Sequence, residues 1–234
     1  MAGILYGIGV GPGDPELITV KAVKRIMGCE LIGIPAKEPA SCTAYKIAKG
    51  AVAGLEKKPV VAVPVPMTSD AEKLLKAYDA GSRRLIKELR EGKDIAFLNL
   101  GDPTVYGSYM EFHERVRKAG CKAEIISGVP SFCAAAAELS VPLGSRREQI
   151  HILPGLYCTE ELGQYSGTRI LMKSGGQVRE IKEKLLKLEE GGRAKVYAVI
   201  NCGMENQAVY QEIGELPEEA GYFTTIIVKE VCKE

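Results

Sequence analysis

Apolar residues along the chain fall into two patterns: short uninterrupted runs, and longer stretches in which they recur every third or fourth position. These are the spacings of buried strands and one-sided helices. Ile4 to Val10 is the first run, and it ends in the glycine-rich turn Gly9-Val10-Gly11-Pro12-Gly13-Asp14-Pro15. A helix is predicted next: Asp14 can cap it, Pro15 suits its first position, and Leu17, Val20, Val23 and Ile26 recur at helical spacing. Leu31 to Ile34 reads as a second strand closed by Pro35, Tyr45 to Val52 as a helix, and Val60 to Val65 as a third strand ending at Pro64 and Pro66. Ala71 to Glu91 is strongly helical. Asp94 to Leu100 is a fourth strand that runs into Gly101-Asp102-Pro103, followed by a helix through Tyr109, Phe112, Val116 and Ala119. The strand Ala123 to Ile126, the turn Ser127-Gly128-Val129-Pro130 and an alanine-rich helix with Ser131 as its N-cap complete the first half.

Pro142 to Glu148 breaks the pattern, after which strands are expected near Gln149 to Leu153, Thr168 to Lys173, Lys195 to Asn201 and Thr224 to Val231. Helices are expected at Val178 to Glu190 and around Gln207 to Gln211. The alternation predicts an α/β protein with a mostly parallel sheet. Two α/β lobes, 1–122 and 123–234, are expected to meet between Gly120 and Arg147. No internal repeat or low-complexity tract is visible.

Composition narrows the function classes. The 234 residues carry 46% hydrophobic and 26% charged side chains, as an ordinary globular protein does. With 31 basic and 30 acidic residues the formal net charge is +1, so no global field recruits nucleic acid or an anionic membrane. An anionic ligand needs a local basic pocket. The cysteines at 29, 42, 121, 133, 158, 202 and 232 form no Cys-x-x-Cys pair and are odd in number, which reads as reduced thiols in the cytoplasm. No leader pattern and no apolar run of membrane-spanning length is present, so a membrane location is not expected.

Ligands of open α/β sheets gather at the carboxyl ends of strands, which directs attention to the three glycine turns. The first does not fit Gly-x-Gly-x-x-Gly in either register: counted from Gly7 the last position is Pro12, and from Gly9 it is Asp14. No phosphate-cradling Gly-x-x-x-x-Gly-Lys-Ser/Thr motif occurs. What remains is a loop that brings backbone close to a ligand, or a plain strand-to-helix connection. Asp102 can cap the next helix or accept hydrogen bonds from ligand hydroxyl or amino groups. His113 and His151, the two histidines, read as structural, no spacing resembles a metal site, and no Ser-His-Asp set can be assembled. Arg83-Arg84 and Arg146-Arg147 read as solvated surface, and Met172 as core.

Taken together, these turns resemble the tetrapyrrole methylase family over essentially the whole chain. The resemblance is carried by Gly9-Val10-Gly11-Pro12-Gly13-Asp14-Pro15-Glu16-Leu17-Ile18-Thr19, Leu100-Gly101-Asp102-Pro103-Thr104-Val105-Tyr106-Gly107 and Gly128-Val129-Pro130-Ser131-Phe132-Cys133-Ala134-Ala135-Ala136. Pro64-Val65-Pro66-Met67-Thr68-Ser69-Asp70, Gly107-Ser108-Tyr109-Met110 and Gly203-Met204-Glu205-Asn206-Gln207 are similar to members that methylate carbon 20 of precorrin-2 or its cobalt-containing counterpart. The resemblance implies two α/β lobes with S-adenosylmethionine in the cleft between them, and a homodimer. By the same resemblance, Pro12 lines the cleft, and Leu100, Gly101, Asp102, Val105 and Tyr106 form the main cofactor wall. Cys133 and Ala134 complete it on the first-lobe side. Met172, Asn201, Cys202 and Thr224 match positions near the adenosine. The chain departs from frequent family usage at Ser127, Leu100 and Cys133, and main-chain contacts make these changes tolerable.

Methyl transfer from a sulfonium requires alignment more than covalent or metal machinery, and no protein-bound metal is expected. No catalytic base stands out, and Asp102 and Tyr106 are the candidates that sequence proximity offers. Some of Arg83, Arg84, Arg146, Arg147 and Lys173 are expected to meet the carboxylates of the ring. Asp102→Ala is expected to weaken cofactor binding far more than stability. The alternatives are the same fold methylating another corrin carbon, ribosomal RNA or a modified protein side chain, a nicotinamide-binding reductase, and a non-catalytic nucleotide-binding module.

Overall fold

The computed structural model describes residues 1–154, 164–173 and 178–231. It divides into two compact units, Met1–Pro130 and a second that begins at Ser131. In the first, β1 (Ile4–Gly9), β2 (Leu31–Ile34), β3 (Val60–Ala62), β4 (Ile95–Asn99) and β5 (Lys122–Ile126) form a parallel sheet in the order β3-β2-β4-β1-β5. Helices α1 (Val20–Gly28), α2 (Thr43–Ala51), α3 (Ala71–Arg90) and α4 (Tyr109–Lys118) make the crossovers.

Period-two alternation assigns the strand residues to two cores. Tyr6, Ile8, Ile32, Ile34, Ala96 and Leu98 pack with Ala22 and Ile26 of α1 and Ile47 and Ala48 of α2. Leu5, Leu31, Ile95 and Phe97 face the other way, onto Leu85 and Leu89 of α3 and Tyr109, Phe112 and Val116 of α4. Leu5, Ile8, Ile95 and Leu98 are fully buried, each contributing roughly 1.5–3 kcal/mol. A one-residue slip of register would forfeit most of that and exchange the two faces. It would also place a side chain at Gly7, where the Tyr109 ring already lies.

Tyr109 is an anchor. Its hydroxyl lies 2.9 Å from the Glu124 carbonyl, to which it donates, and 3.1 Å from His113 Nδ1. Having spent its one proton, the hydroxyl accepts from the imidazole, so His113 carries its proton on Nδ1. Burial, followed by the charge of Arg117, pushes the His113 pKa down, in keeping with the structural role expected for it.

The second unit holds α5 (Ser131–Leu139), β6 (Ile150–Pro154), β7 (Thr168–Met172), α6 (Val178–Glu190), β8 (Ala194–Ile200), β9 (Ala208–Tyr210) and β10 (Thr224–Glu230). Its sheet has the order β6-β7-β10-β8-β9. Only β6 and β7 run parallel; β10 is antiparallel to both its neighbours, and β9 to β8. One face buries Leu153, Leu171, Ile226, Val228, Val196 and Ala198 against Val178, Ile181 and Leu185 of α6. Helix α5 packs against β8, β9 and β10, and Ser131, its first residue, accepts from the Thr225 hydroxyl at 3.4 Å.

Five expectations are corrected. The units divide at Pro130, not at 122, because β5 pairs with β1 from Ile4↔Lys122 to Ile8↔Ile126 and so completes the first sheet. The mostly parallel sheet describes the first unit only. Asp14 caps a short 3-10 turn, Pro15–Leu17, whereas Thr19 caps α1 by accepting from the Ala22 amide at 3.1 Å. Val20, expected on the apolar stripe, is 69% exposed. The segment expected to be helical around Gln207 to Gln211 is instead β9, because pairing with β8 supplies ladder bonds that so short a segment lacks alone.

Cys29, Cys42, Cys121 and Cys202 are free and buried, and Cys133 is free and exposed; Cys158 and Cys232 lie outside the described residues. Among the described residues no helix is long and apolar enough to cross a membrane. Among them, too, no group of three or more His, Cys, Asp or Glu could hold a metal ion.

Candidate functional site

In the first unit, strand order makes β4, β1 and β5 neighbours, so the loops that leave their carboxyl ends meet. The Gly101 amide donates to the Gly11 carbonyl at 2.8 Å, and the Gly11 amide returns the bond to Gly101 at 3.4 Å. The Val10 amide reaches the Asn99 carbonyl at 3.0 Å. Gly9 packs so closely under the other two loops that a Cβ there would sit 2.5 Å from the Gly128 nitrogen and 2.6 Å from the Gly101 oxygen. Gly11 and Gly101 both adopt positive φ, +81° and +68°, a conformation that side chains resist. The glycines of the three turns therefore allow loops to cross, and the crossing leaves main-chain groups at the sheet edge.

Asp102 lies within this crossing and is buried. One of its carboxylate oxygens accepts from the Thr104 amide at 2.8 Å and the Thr104 hydroxyl at 2.5 Å. The other accepts from the Gly128 amide at 3.0 Å, across to the loop after β5. The carboxylate is thus a brace between two loops. Its expected role as cofactor acceptor or base meets this fact: both oxygens already have protein donors.

Tyr106 stands differently. It is 44% exposed and holds φ of 51°, a left-handed conformation in which non-glycine residues are uncommon and which marks positions held by their surroundings. Its neighbour Gly107 admits no side chain, because Asn99 Oδ1 would be 2.7 Å from a Cβ. Asn99, buried at the end of β4, donates from Nδ2 to the Leu100 carbonyl at 2.8 Å. Sequence reasoning missed Asn99 and Thr104; a polar residue closing an otherwise apolar strand was the available signal. Pro12 is buried, Val105 is half-buried, and the Leu100 side chain packs on the first core.

The second unit assembles its own edge. Met172 ends β7, opposite Thr225 of β10; Thr224 begins β10, opposite Ile200; Asn201 and Cys202 follow β8. Strand direction therefore brings Met172, Asn201, Cys202 and Thr224 to one end of this sheet. Thr224 is buried and donates its hydroxyl to the Gly221 carbonyl at 2.7 Å. Burial, then the Glu138 charge, pushes the Cys202 thiol up to about 11. Asn201 has φ of 51° and Lys173 has φ of 58°. Tyr222 and Phe223, which sequence reasoning did not single out, form an edge-to-face pair beside this end, with Lys173 Nζ 5.6 Å from the Tyr222 ring. Cys133 and Ala134 lie on α5 and so belong to the second unit rather than the first, with Cys133 exposed and Ala134 buried.

Of the expected basic residues, Lys173 follows Met172 at the second edge. Arg84 donates to the Ala62 carbonyl at 2.8 Å. Arg83 lines a shallow depression of about 560 Å³ with Lys87 and Arg90. That hollow lies between the last turn of α3 and the end of α4, by the amino ends of the strands, and is not part of the glycine crossing. Arg146 and Arg147 are exposed.

The donor set indicates what the first edge can hold. Residues 9–14, 99–108 and 127–130 contain Asp14 and Asp102 and neither lysine nor arginine. A pyrophosphate would meet two carboxylates and no cationic side chain from these loops, whereas a nucleoside carrying a positive centre would be favoured. S-adenosylmethionine fits such an edge better than a dinucleotide.

A profile of the tetrapyrrole (corrin/porphyrin) methylases matches residues 4–217. A precorrin-2 C(20)-methyltransferase of Sinorhizobium sp. is 30% identical over 240 residues, covering 97% of this chain and 95% of that protein. A probable cobalt-precorrin-2 C(20)-methyltransferase of Methanocaldococcus jannaschii is 31% identical over 215 residues, covering 92% and 88%. Among solved structures, the uroporphyrin-III-C-methyltransferase of Thermus thermophilus matches with a TM-score of 0.69 at 25% identity, covering 98% of this chain and 93% of that one.

Proposed function

The chain belongs to the tetrapyrrole (corrin/porphyrin) methylases, and from that premise we propose that it methylates carbon 20 of precorrin-2 or of cobalt-factor II, in cobalamin biosynthesis, with S-adenosylmethionine as donor. One observation supports this cofactor beyond membership itself: the crossing of three glycine loops whose only charged side chains are carboxylates. The acceptor is supported by the two C(20)-methyltransferases that the chain resembles at 30% and 31% identity.

When bound, S-adenosylmethionine supplies an activated methyl. The contribution of the protein is then alignment, which in favourable cases is worth roughly 7–11 kcal/mol of barrier. We assign cofactor contacts to Pro12, Leu100, Gly101, Val105 and Tyr106 on the first edge and to Cys133, Ala134, Met172, Asn201, Cys202 and Thr224 in the second unit. Main-chain groups dominate because Leu100 and Thr224 turn their side chains inward. Of the two candidate bases, Tyr106 is 44% exposed, whereas Asp102 is buried and acts as the brace. The reading includes a homodimer in the cytoplasm, supported by the family resemblance and the free thiols.

The test is transfer of labelled methyl from S-adenosylmethionine to precorrin-2 with and without inserted cobalt, with the position of the new methyl located in the product. Methylation at carbon 20 is expected. A methyl at another carbon would overturn the acceptor, and heat on titration with NADH but not with S-adenosylhomocysteine would overturn the cofactor.

A further inference from the structure

The segment Gly203-Met204-Glu205-Asn206-Gln207 carries part of the resemblance but has been given no structural role, and it closes on itself beside two assigned contacts. Asn201 and Gly203 both take positive φ, 51° and 75°. The Met204 amide donates to the Asn201 carbonyl at 2.9 Å, and the Gln207 amide to the Met204 carbonyl at 3.0 Å, so two turns follow each other directly. Asn201 Nδ2 reaches the Asn206 carbonyl at 3.5 Å.

The Gln207 side chain uses both ends of its amide. Its oxygen accepts from the Gly203 backbone N–H at 2.5 Å, and its nitrogen donates to Glu138 on α5 at 2.9 Å. Gly203 N–H can only donate and an ionised carboxylate can only accept, so the orientation of the amide is fixed. Glu138 stands four residues after Ala134 on α5, one turn along the same face. One side chain therefore joins the helix that carries Cys133 and Ala134 to the turn that carries Asn201 and Cys202.

We infer that Gln207 and Glu138 are a positioning pair that sets the left-handed turn at Asn201–Gly203 and, through it, the affinity of the second unit for the nucleoside of S-adenosylmethionine. The inference rests on the cofactor reading above. A residue that only stabilised the loop would change unfolding alone. A positioning residue changes ligand affinity with the fold intact.

The full chain is titrated calorimetrically with S-adenosylhomocysteine, and thermal midpoints are recorded in parallel. Gln207→Glu keeps an oxygen for Gly203 but sets a second carboxylate against Glu138, and is expected to weaken binding about tenfold. Glu138→Gln alone leaves a hydrogen-bond acceptor for Gln207 and should change little. The double variant restores an amide–carboxylate pair with the partners exchanged, and is expected to recover affinity to within about threefold of the parent. Should Gln207→Glu fail to fold, Gln207→Met, which removes both hydrogen bonds without adding charge, replaces it. In turnover, KM for S-adenosylmethionine rises while kcat at saturation holds. Unchanged affinity with a lowered thermal midpoint, or no recovery in the double variant, overturns the pair. A parent chain that binds no S-adenosylhomocysteine overturns the cofactor reading itself, and the pair with it.

Discussion

Replacing Asp102 by alanine separates a brace from a ligand contact. The carboxylate is buried and receives three hydrogen bonds, two from Thr104 and one from the Gly128 amide, which is distant in sequence. Thr104 is exposed, so water recovers most of its share once the carboxylate is gone. The Gly128 bond is different: it spans two loops in a crowded crossing, and a hydrogen bond to a charged group is worth about 1.5–3 kcal/mol. Adding about 0.5–1 kcal/mol for the Thr104 turn gives a loss of roughly 2–4 kcal/mol. For a chain of this size that is a fall of about 5–15 °C in thermal midpoint. Asp102→Asn should be intermediate, because an amide has one oxygen for two sets of donors. Urea and thermal unfolding measure the loss, and calorimetry with S-adenosylhomocysteine measures binding in the same samples. An alanine variant as stable as the parent but unable to bind would refute the brace and reinstate the expectation drawn from sequence, in which the carboxylate serves the ligand.

Gly9→Ala should destabilise by about 3 kcal/mol or more, since its Cβ would press on backbone atoms of two other loops. Gly28→Ala, whose Cβ would meet nothing within 4 Å, should instead stabilise by about 0.5 kcal/mol; urea midpoints compare the two. Thr19→Ala should cost about 1 kcal/mol as the loss of the α1 cap, and Asp14→Ala less, by the same measurement. For Glu148, burial alone would raise the carboxyl pKa, but Lys229 at 2.6 Å and the Thr168 hydroxyl at 2.8 Å outweigh it, so the folded pKa is lowered. Its contribution is therefore present above the unfolded value of about 4.3 and is lost as pH falls through the folded value. Glu148→Gln should flatten the acid limb of the stability profile, and an unchanged limb would remove Glu148 from the account.

Elements with a full stripe of apolar residues were legible: α3 and α6 match their expected spans to within a residue, as buried faces that repeat over several turns dictate. Failures cluster where a single local cue had two meanings. Asp14-Pro15 and Thr19 are both N-cap signals, and only the break at Ile18 shows that the first opens a 3-10 turn. Ala208–Tyr210 is too short for its own periodicity to speak, so its partner decides it. The expected boundary at 122/123 fell inside β5, which returns to β1. At the site, the glycine turns and Asp102 were readable from spacing after strands. Their purpose was not, because Gly128 is separated from Asp102 by a whole helix and strand, and Gln207 from Glu138 by most of the second unit.

The central position of β10 in the second sheet also has a consequence for vectorial synthesis. Strands β7 and β8 do not pair with each other; each pairs with β10. While the chain is still being made, the first unit can close once Pro130 has emerged, but the second has only the β6–β7 and β8–β9 pairs, two half-sheets with unsatisfied edges. Roughly 60 residues separate the end of β7 from the end of β10 and roughly 20 separate the end of β9 from it, about 3–12 s and about 1–4 s at ~5–20 residues per second. The β7 edge is therefore unpaired for the longer of these intervals and the β8 edge for the shorter. Slow codons placed ahead of Thr224 would lengthen the exposure, whereas slow codons just after Pro130 would not.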